Sequence, residues 1–361
     1  MNYNNKPRIL FLCGREAAYP LNRFLIDSAR TFARVEVIAE DGPGTSIVRR
    51  SLRVALAAVP QMLSGRYDLV MVGFFGHFLM LPVRLLNRRP VVFYPLISAY
   101  ETLVEDRQNY RAGSIPARLA HWLDRRACRF ADHLLLDTWA NIDYFKQAYD
   151  LPASQFTRLF VGSDERLFFP RPGRSPTDRT VVLFFGTYLP LHGIEVIVEA
   201  AAALRDRKDI VFRLLGRGIG YEGIARLVNR LDLQNIEFAE PVPLAELPEI
   251  IARADICLGG HFGASDKAGR VIAGKTFHAL AMGKATIVGD GPANHELLTH
   301  GIDAWFVPAG DAEALARAIR QLAEDRDLRM RLGVNAVRTF KAQAGLDVRA
   351  SQLQAILRKL V

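Results

Sequence analysis

Residues 275–319 read KTFHALAMGKATIVGDGPANHELLTHGIDAWFVPAGDAEALARAI. Two short apolar runs in this segment, ATIVGD (285–290) and AWFVP (304–308), stand between patterns that are typical of amphipathic helices. Strands that are apolar almost throughout and are joined by helices belong to parallel sheets with both faces covered. The segment therefore predicts an α/β fold.

The same alternation extends through the rest of the chain in two successive series. In the first series, strands are predicted at 8–13, 35–39, 68–73, 90–94, 132–137 and 157–162, with helices at 21–33, 47–63, 115–130 and 138–148. In the second, strands are predicted at 180–186, 210–216, 235–240, 255–260, 285–290 and 304–308, with helices at 193–205, 221–231, 244–252, 275–282, 293–299 and 311–323. A last helical segment, 325–359, has weak breaks at Gly333 and Gly345. The pattern predicts two doubly wound, Rossmann-like domains.

The segment FFPRPGRSPTDR (168–179) is rich in proline, glycine and charge, and is the best candidate for a linker. We therefore expect a first domain at 1–168, a second at 169–340, and a final helix at 341–361 that returns to pack on the first. Ligands of such sheets bind outside the carboxyl ends of the strands. A cleft between the two domains is the expected binding site.

Composition narrows the class of protein. The chain has 361 residues, of which 50 % are hydrophobic and 24 % charged, as in a globular protein. Its three cysteines are far apart, which argues against a structural zinc site and favours the cytoplasm. The longest charge-free apolar run (69–83) is shorter than the ~20 residues of a membrane span. A net charge of +9 without basic runs interleaved with aromatics favours phosphorylated ligands or anionic lipid over nucleic acid.

Glycine ends several predicted strands of the second half, at Gly186, Gly216 and Gly259–Gly260. A glycine lets the backbone approach a ligand closely, and the following helix offers free N–H groups to an anion. Gly216 and Gly218 do not complete a dinucleotide fingerprint, since Tyr221 stands where the third glycine belongs. A nicotinamide-dependent oxidoreductase is therefore disfavoured.

Cations follow these glycines. Lys267, Arg270 and Lys275 lie on the segment GGHFGASDKAGRVIAGK (259–275), and Lys275 stands at a predicted helix start, where the helix dipole favours an anion. We expect this segment to hold a diphosphate.

Several segments resemble, in order, the donor domain of GT-B glycosyltransferases of the family-4 type. They are GSDERLFFP (162–170), FFGTYLPLHGIEVIVEAAAAL (184–204), LLGRGIG (214–220) with the later EPVP (240–243), and 275–319. The resemblance implies a GT-B fold and retaining transfer of a sugar from a nucleotide-diphosphate sugar to a hydroxyl acceptor, either a glycan or a lipid-linked glycan. It also implies that no metal or other resident cofactor is needed.

When the family's functional residues are carried over to the matching positions of this chain, they imply a donor site. They also show where this chain departs from the family's motifs. The implied donor-site residues are Gly186, Thr187, His192, Gly216, Arg217, Gly218, Val242, Lys267, Lys275 and His278, with Arg270 in a catalytic role. The family's arginine is replaced by Thr187 and its lysine by His192, and its paired glutamates fall on Arg270 and His278. Glu296 matches a further family acid. The pattern indicates a variant donor site.

Polar residues follow predicted strand ends in the first domain as well. Gly14 and Arg15 follow the first strand, His77 the third, and SAYETLVEDR (98–107) the fourth. Gly14, Arg15, Glu101 and Arg107 are the predicted acceptor contacts, and His77 and Asp106 the predicted catalytic groups. Glu101 is an alternative to Asp106 for orienting an acceptor hydroxyl.

Two questions stay open at this point. The helices at 49–63 and 118–130 mix arginine with apolar faces, which fits peripheral contact with the inner face of a membrane or simply helices that cover a sheet. The missing family residues also fit a catalytically inactive partner or nucleotide-binding subunit. A sugar-nucleotide epimerase is a weaker alternative, because the predicted donor side has few carboxylates.

Overall fold

A computed structural model describes residues 6–40, 46–106, 109–173 and 178–361, apart from the side chains of residues 105 and 106. The chain forms two compact units, Met1–Val161 with Leu346–Val361, and Gly162–Gly345. The sequence-predicted linker, 168–179, lies within the second unit, and its residues 174–177 are outside the described part.

The described strands form two six-stranded parallel sheets. Strand order in the first unit is β2-β1-β3-β4-β5-β6, and in the second β12-β11-β10-β7-β8-β9. The strands are β1 (Arg8–Cys13), β2 (Arg34–Ala39), β3 (Leu69–Val72), β4 (Val91–Phe93), β5 (His133–Leu136), β6 (Phe156–Arg158), β7 (Thr180–Phe185), β8 (Ile210–Leu215), β9 (Ile236–Ala239), β10 (Ile256–Gly260), β11 (Ala285–Asp290) and β12 (Trp305–Pro308).

Helices connect the strands and cover the sheets. They are α1 (Pro20–Arg30), α2 (Ile47–Leu63), α3 (Met80–Leu86), α4 (Ile115–Phe130), α5 (Trp139–Tyr149), α6 (Ile194–Ala203), α7 (Tyr221–Arg230), α8 (Leu247–Ala252), α9 (Asp266–Arg270), α10 (Gly274–Ala281), α11 (Pro292–His295), α12 (Ala312–Glu324), α13 (Arg326–Ala344) and α14 (Leu346–Leu360). Short 3₁₀ turns cover His77–Leu79, Ala153–Gln155 and Pro190–His192, and a π-type helix covers Glu101–Asp106.

Polar side chains fix where several of these helices begin. Each accepts a hydrogen bond from a backbone N–H of the first turn, which would otherwise have no partner in the helix. The residues are Ser46, Ser114, Thr138, Ser265, Asp311 and Asp325.

The connections determine which helices share a face of the sheet in the first unit. Helix α2 packs on α3, α3 on α4 and α4 on α5, whereas α1 packs on α14. This division is the one that right-handed crossovers impose, because the chain moves across the sheet in one direction from β1 to β2 and in the opposite direction from β2 through β3 to β6. Strand order reverses between β1 and β3, and in the second unit between β7 and β10. Ligands of doubly wound sheets bind at such switch points.

The predicted α/β fold is confirmed, and each predicted strand is present. The segments 98–107 and 259–275, predicted as loops, contain the π-type helix and α9, which are too short to give a clear 3.6-residue period. Helix α3 was not predicted either. Gly333 is not a break: it lies inside α13, and a Cβ there would meet the Gly283 carbonyl oxygen at 2.1 Å.

The core of each unit lies against its sheet, for example around Leu10 and Phe93 in the first unit and around Phe184 and Phe212 in the second. Among the described residues, no helix combines the length and apolar character needed to span a bilayer.

Candidate functional site

The switch point of the second unit begins at the end of β7, where Gly186 follows Phe185. Gly186 has a φ of +139°, and a Cβ there would lie 3.2 Å from Cε of Lys275. A side chain at this position would therefore be strained and would crowd the lysine. The glycine leaves room for Lys275 to extend over the strand end.

Lys275 is a buried cation at the amino end of α10. Its side chain crosses to the loop after β7, where Nζ lies 2.9 Å from Nδ1 of His192 and 4.5 Å from the ring centroid of Phe184. Burial lowers the pKa of Lys275 to about 7. Among the described residues, no carboxylate forms an ion pair with it, so an anionic ligand would supply the missing negative charge.

Two histidines complete this cluster. The rings of His192 and His261 stack with centroids 5.1 Å apart. Burial, with the added effects of Lys275 and His261, holds the pKa of His192 well below its usual value. Burial, with a smaller effect of Lys275, lowers the pKa of His261 to about 3. Both imidazoles are therefore neutral near neutral pH, and Nδ1 of His192 accepts a hydrogen bond from the Lys275 ammonium.

Helix termini add to the positive potential here. No side chain in the described part of the chain caps the amino end of α10, which starts after Ala273. Its first N–H groups therefore favour an anion, as the helix dipole does. Lys267 is buried on α9, and its charge also lowers the pKa of His261. Arg270 ends the same helix, which packs against the turn that carries His192.

Glycines shape the neighbouring wall. A Cβ on Gly216 would lie 2.0 Å from the carbonyl oxygen of Gly186, and one on Gly218 would lie 2.9 Å from Cγ2 of Thr187. Backbone therefore packs directly on backbone at the ends of β7 and β8. Beside it is a cavity of about 230 Å³, whose wall includes the predicted donor residues Gly186, Thr187, Gly216, Arg217 and Val242.

Arg217 already has protein partners. Its guanidinium forms an ion pair with Glu240 and lies 3.6 Å from the centroid of the Tyr221 ring. The Glu240 carboxylate raises the pKa of Arg217. Arg217 thus contributes a wall to the cavity while its charge is balanced by Glu240.

His278, one turn into α10, faces different partners from those of Lys275. Its ring stacks on Phe168 with centroids 4.0 Å apart, and Nδ1 lies 2.7 Å from Oγ of the buried Ser163. Burial lowers its pKa to about 4, although Asp164 opposes the effect. His278 is therefore a neutral hydrogen-bonding group. Glu296, which matches the other family acid, lies half-buried after α11.

The switch point of the first unit holds a larger cavity, of about 770 Å³. Arg15 and His77, two of the predicted residues, line it. Close packing next to the cavity favours glycine at position 14, since a Cβ there would lie 2.9 Å from the Phe75 carbonyl oxygen. Glu101 is buried but is not among the residues that line the cavity. Arg107 and the side chain of Asp106 lie outside the described residues.

His77 is held against a buried carboxylate. Its Nε2 lies 3.4 Å from Oδ1 of Asp124, and this nitrogen has no hydrogen-bond partner among the described residues. Asp124 accepts hydrogen bonds from Ser98, the backbone of Ala99 and Tyr100, and Tyr149. Burial lowers the pKa of His77 more than Asp124 raises it. The cavity wall thus includes a neutral imidazole whose Nε2 faces the buried Asp124 carboxylate.

Sequence reasoning missed the partners that give these groups their chemistry. His261 was available as the residue after the glycine pair 259–260, but nothing in the local pattern separates it from a loop histidine. The resemblance of 162–170 gave no role to Ser163 or Phe168, and Asp124 had no signal, because each meets its histidine from another part of its own unit. No group of three or more His, Cys, Asp or Glu side chains in the described ranges is placed to hold a metal ion.

Curated relatives are about a quarter identical to this chain over the residues that align. The alpha-D-kanosaminyltransferase of Streptomyces kanamyceticus is 25 % identical over 254 residues, which cover 67 % of this chain and 64 % of the relative. A D-inositol 3-phosphate glycosyltransferase of Corynebacterium glutamicum is 27 % identical over 273 residues, which cover 68 % of this chain and 63 % of the relative. The matches therefore span less than two thirds of either relative.

Solved structures match nearly the whole chain. HepE from Anabaena in complex with UDP-glucose aligns with a TM-score of 0.73 at 20 % identity, over 98 % of this chain and 100 % of that one. Sucrose-phosphate synthase from Thermosynechococcus elongatus aligns with a TM-score of 0.78 at 16 % identity, over 98 % and 99 %. The fold is the GT-B fold of glycosyltransferases.

The match to a protein family lies within the second unit. Residues 179–325 match the family model described as "Glycosyl transferases group 1". The residues that resemble this family include the cluster around Lys275.

Proposed function

We propose that this protein is a retaining, family-4-type glycosyltransferase that transfers a sugar from a nucleoside-diphosphate sugar to a hydroxyl of a glycan or a lipid-linked glycan. The observation that carries the proposal is the environment of Lys275. It is a buried lysine at a switch point, with a neutral histidine as its hydrogen-bond partner and an uncapped helix end beside it. A diphosphate supplies the negative charge that this environment favours.

The proposed reaction depends on stabilising the charge that develops on the diphosphate, and it needs no nucleophile from the protein. The bond between the anomeric carbon and the diphosphate oxygen breaks, and the bond to the acceptor oxygen forms on the same face of the sugar. The acceptor proton passes to the departing phosphate oxygen. Lys275, Lys267, Arg270 and the first N–H groups of α10 would stabilise the negative charge that develops on the diphosphate. The proposed transfer needs no resident metal or other cofactor.

Groups near Lys275 provide the contacts that we propose for the nucleoside part of the donor. The cavity beside Val242 has room for part of a nucleobase, and His278 with Ser163 would hydrogen-bond ribose hydroxyls in place of the family glutamate. Because HepE has a similar fold and was crystallised with UDP and with UDP-glucose, uracil is the first base to test. On the acceptor side, His77 and Arg15 line the same cavity and would contact the acceptor there. Asp106 remains a catalytic proposal, with Glu101 as its alternative.

A thermal-shift panel of UDP, GDP, ADP, CDP, dTDP and NAD on the full chain, with EDTA and separately with Mg²⁺, tests the proposal. A ligand at ~100 Kd stabilises the folded state by about 2.7 kcal/mol, which is an easily measured shift. We expect one nucleoside diphosphate to give such a shift in EDTA. Lys275→Ala should abolish it, whereas Lys341→Ala, an exposed lysine on α13, should keep it. A shift with NAD alone would refute the donor assignment.

The second candidate is a nucleotide-binding partner that has lost catalysis. Arg270 and His278 at the positions of the family's glutamates favour it, since neither can act as a carboxylate. Incubation with the matching nucleoside-diphosphate sugar separates the candidates. Release of nucleoside diphosphate that depends on an added acceptor supports the transferase, and binding without release supports the inactive subunit.

A further inference from the structure

Helices α2, α3 and α4 form a layer with an unusually apolar outer surface, called here the α2–α4 face. Water-exposed surfaces seldom carry large contiguous apolar patches unless something binds there. Leu85 and Ile115 are each 74 % exposed, and Trp122 is 56 % exposed. The exposed apolar side chains of these helices are Val48, Leu52, Leu56, Leu63, Leu81, Leu85, Ile115, Leu119 and Trp122.

The charged side chains that these three helices expose all belong to arginines. The arginines of the α2–α4 face are Arg49, Arg50, Arg53, Arg84, Arg118, Arg125, Arg126 and Arg129. The single acid within these helices, Asp124, is fully buried. Some of the arginines pair with acids of neighbouring segments, such as Glu16, Glu40, Asp132 and Asp150. Arg118 and Arg126 form no ion pair with a described residue, and Arg126 lies 5.9 Å from the Trp122 ring.

The larger cavity is continuous with this face. Phe78, Leu119 and Trp122 line the cavity and are also exposed at the surface. The cavity's charged residues, Arg15, Glu16 and Arg50, are grouped by ion pairs of 3.3 and 2.6 Å. One part of the cavity is therefore charged, and the remainder is mostly apolar. This polarity suits an amphiphile with a polar head and a hydrocarbon chain.

We propose that the α2–α4 face docks on an anionic bilayer, and that the adjoining cavity takes the hydrocarbon chain of a lipid acceptor whose hydroxyl group lies at the β1–β3 switch point. The acceptor role rests on the proposed function, whereas the docking does not. Arginine supplies the attraction to anionic headgroups, and tryptophan and leucine side chains enter the interface. The occupant is a lipid because the apolar residues are surrounded by cations and lead into a cavity at the expected acceptor position.

Sedimentation of the full chain with vesicles tests the docking. We expect binding to vesicles of phosphatidylcholine with phosphatidylglycerol, and much weaker binding to phosphatidylcholine alone. Each arginine near an anionic surface contributes about fivefold, so Arg118→Gln with Arg126→Gln should lower the partition constant about thirtyfold. Leu85→Gln with Leu119→Gln should also release the protein. The matched control is Met330→Gln with Val334→Gln, which changes exposed apolar residues of α13 and should bind like the natural chain.

The cavity needs its own variant. Ala120 lines it and is only 6 % exposed, so Ala120→Phe should fill the space that the chain would occupy. Titration with lysophosphatidylglycerol below its micelle concentration is followed by tryptophan fluorescence in a Trp139→Phe, Trp305→Phe background, which leaves Trp122 as the reporter. Binding should saturate with Ala120 and weaken at least about tenfold with Ala120→Phe. A far-UV circular dichroism spectrum and a cooperative thermal unfolding transition like those of the natural chain show that the variant is folded.

The outcomes separate the alternatives. Absence of binding to either vesicle, or equal binding by the arginine variants, refutes the docking. Self-association of the natural chain that the leucine variants abolish, without vesicle binding, assigns the face to a second copy and also refutes it. Vesicle binding without any nucleotide shift would support the docking and refute the proposed transfer. The two results are independent because the nucleotide shift depends on the second unit.

Discussion

The pKa of Lys275 predicts how nucleotide affinity depends on pH. In the free protein burial lowers this pKa to about 7, so about half of the molecules carry an uncharged lysine at that pH. A bound diphosphate favours the ammonium and raises the pKa. Between the two pKa values the complex holds more protons than the free protein does. Affinity is therefore greatest below about pH 7 and declines as the pH rises.

The size of the effect follows from the fraction of charged lysine. If only the ammonium form binds, the apparent Kd is proportional to 1 + 10^(pH − pKa). From about pH 7 to about pH 8 the Kd then rises about fivefold, and above that it approaches a tenfold rise per pH unit. The terminal phosphate has a pKa near 6, so it is already ionised throughout this range and adds little change of its own.

Calorimetry with the nucleoside diphosphate from the thermal-shift panel measures the effect. Titrations near pH 7 in buffers of different ionisation enthalpy should report uptake of about half a proton per ligand. Lys275→Arg, whose guanidinium stays charged, should lose the pH dependence even if its affinity differs. Lys341→Met on α13 keeps the buried lysine and should behave like the natural chain. An affinity that stays constant between about pH 7 and about pH 8, or a pH dependence that survives in Lys275→Arg, would refute the reasoning.

Two stability predictions use thermal or urea denaturation. Gly333→Ala should destabilise the protein by about 2 to 3 kcal/mol, because its Cβ would meet a carbonyl oxygen at 2.1 Å. The control is Gly223→Ala, which has open space around its Cβ and should stabilise the protein by about 0.5 kcal/mol. Equal stabilities of the two variants would contradict the assigned packing. His278→Ala should lower the free energy of unfolding by about 2 kcal/mol, since it removes a ring stack and leaves the buried Ser163 oxygen without its partner. The control is His295→Ala at an exposed histidine, which should lower it by no more than about 0.5 kcal/mol. A cost for His278→Ala as small as that of His295→Ala would count against the stacked arrangement.

The fold was predictable because its signal is repeated. Each buried strand is a near-continuous apolar run, and the helices between them are mostly long enough to show their period, as α2 and α4 do. The short elements escaped detection because a helix such as α9 has barely more than one turn. Gly333 was misjudged because a glycine required by close packing looks, in sequence, like a glycine that ends a helix.

The candidate site was predictable only in part. Strand-end glycines and the lysine at a helix start locate Gly186 and Lys275 from local pattern alone. The state of Lys275 depends on His192 and Phe184, and their proximity requires the tertiary fold. For the same reason the cluster of His77 with Asp124 had no sequence signal, since burial and distance, not spacing, define it.

The pairing of α1 with α14 has a consequence for synthesis on the ribosome. The first unit needs Leu353 and its neighbours to cover α1, yet these residues follow the whole of the second unit in the chain. At translation rates of about 5 to 20 residues per second, the surface of α1 that carries Phe24 stays uncovered for roughly ten to forty seconds after Val161 has been added. During that interval the nascent first unit presents an apolar groove to chaperones, while the contiguous second unit has all of its own residues and is able to fold first.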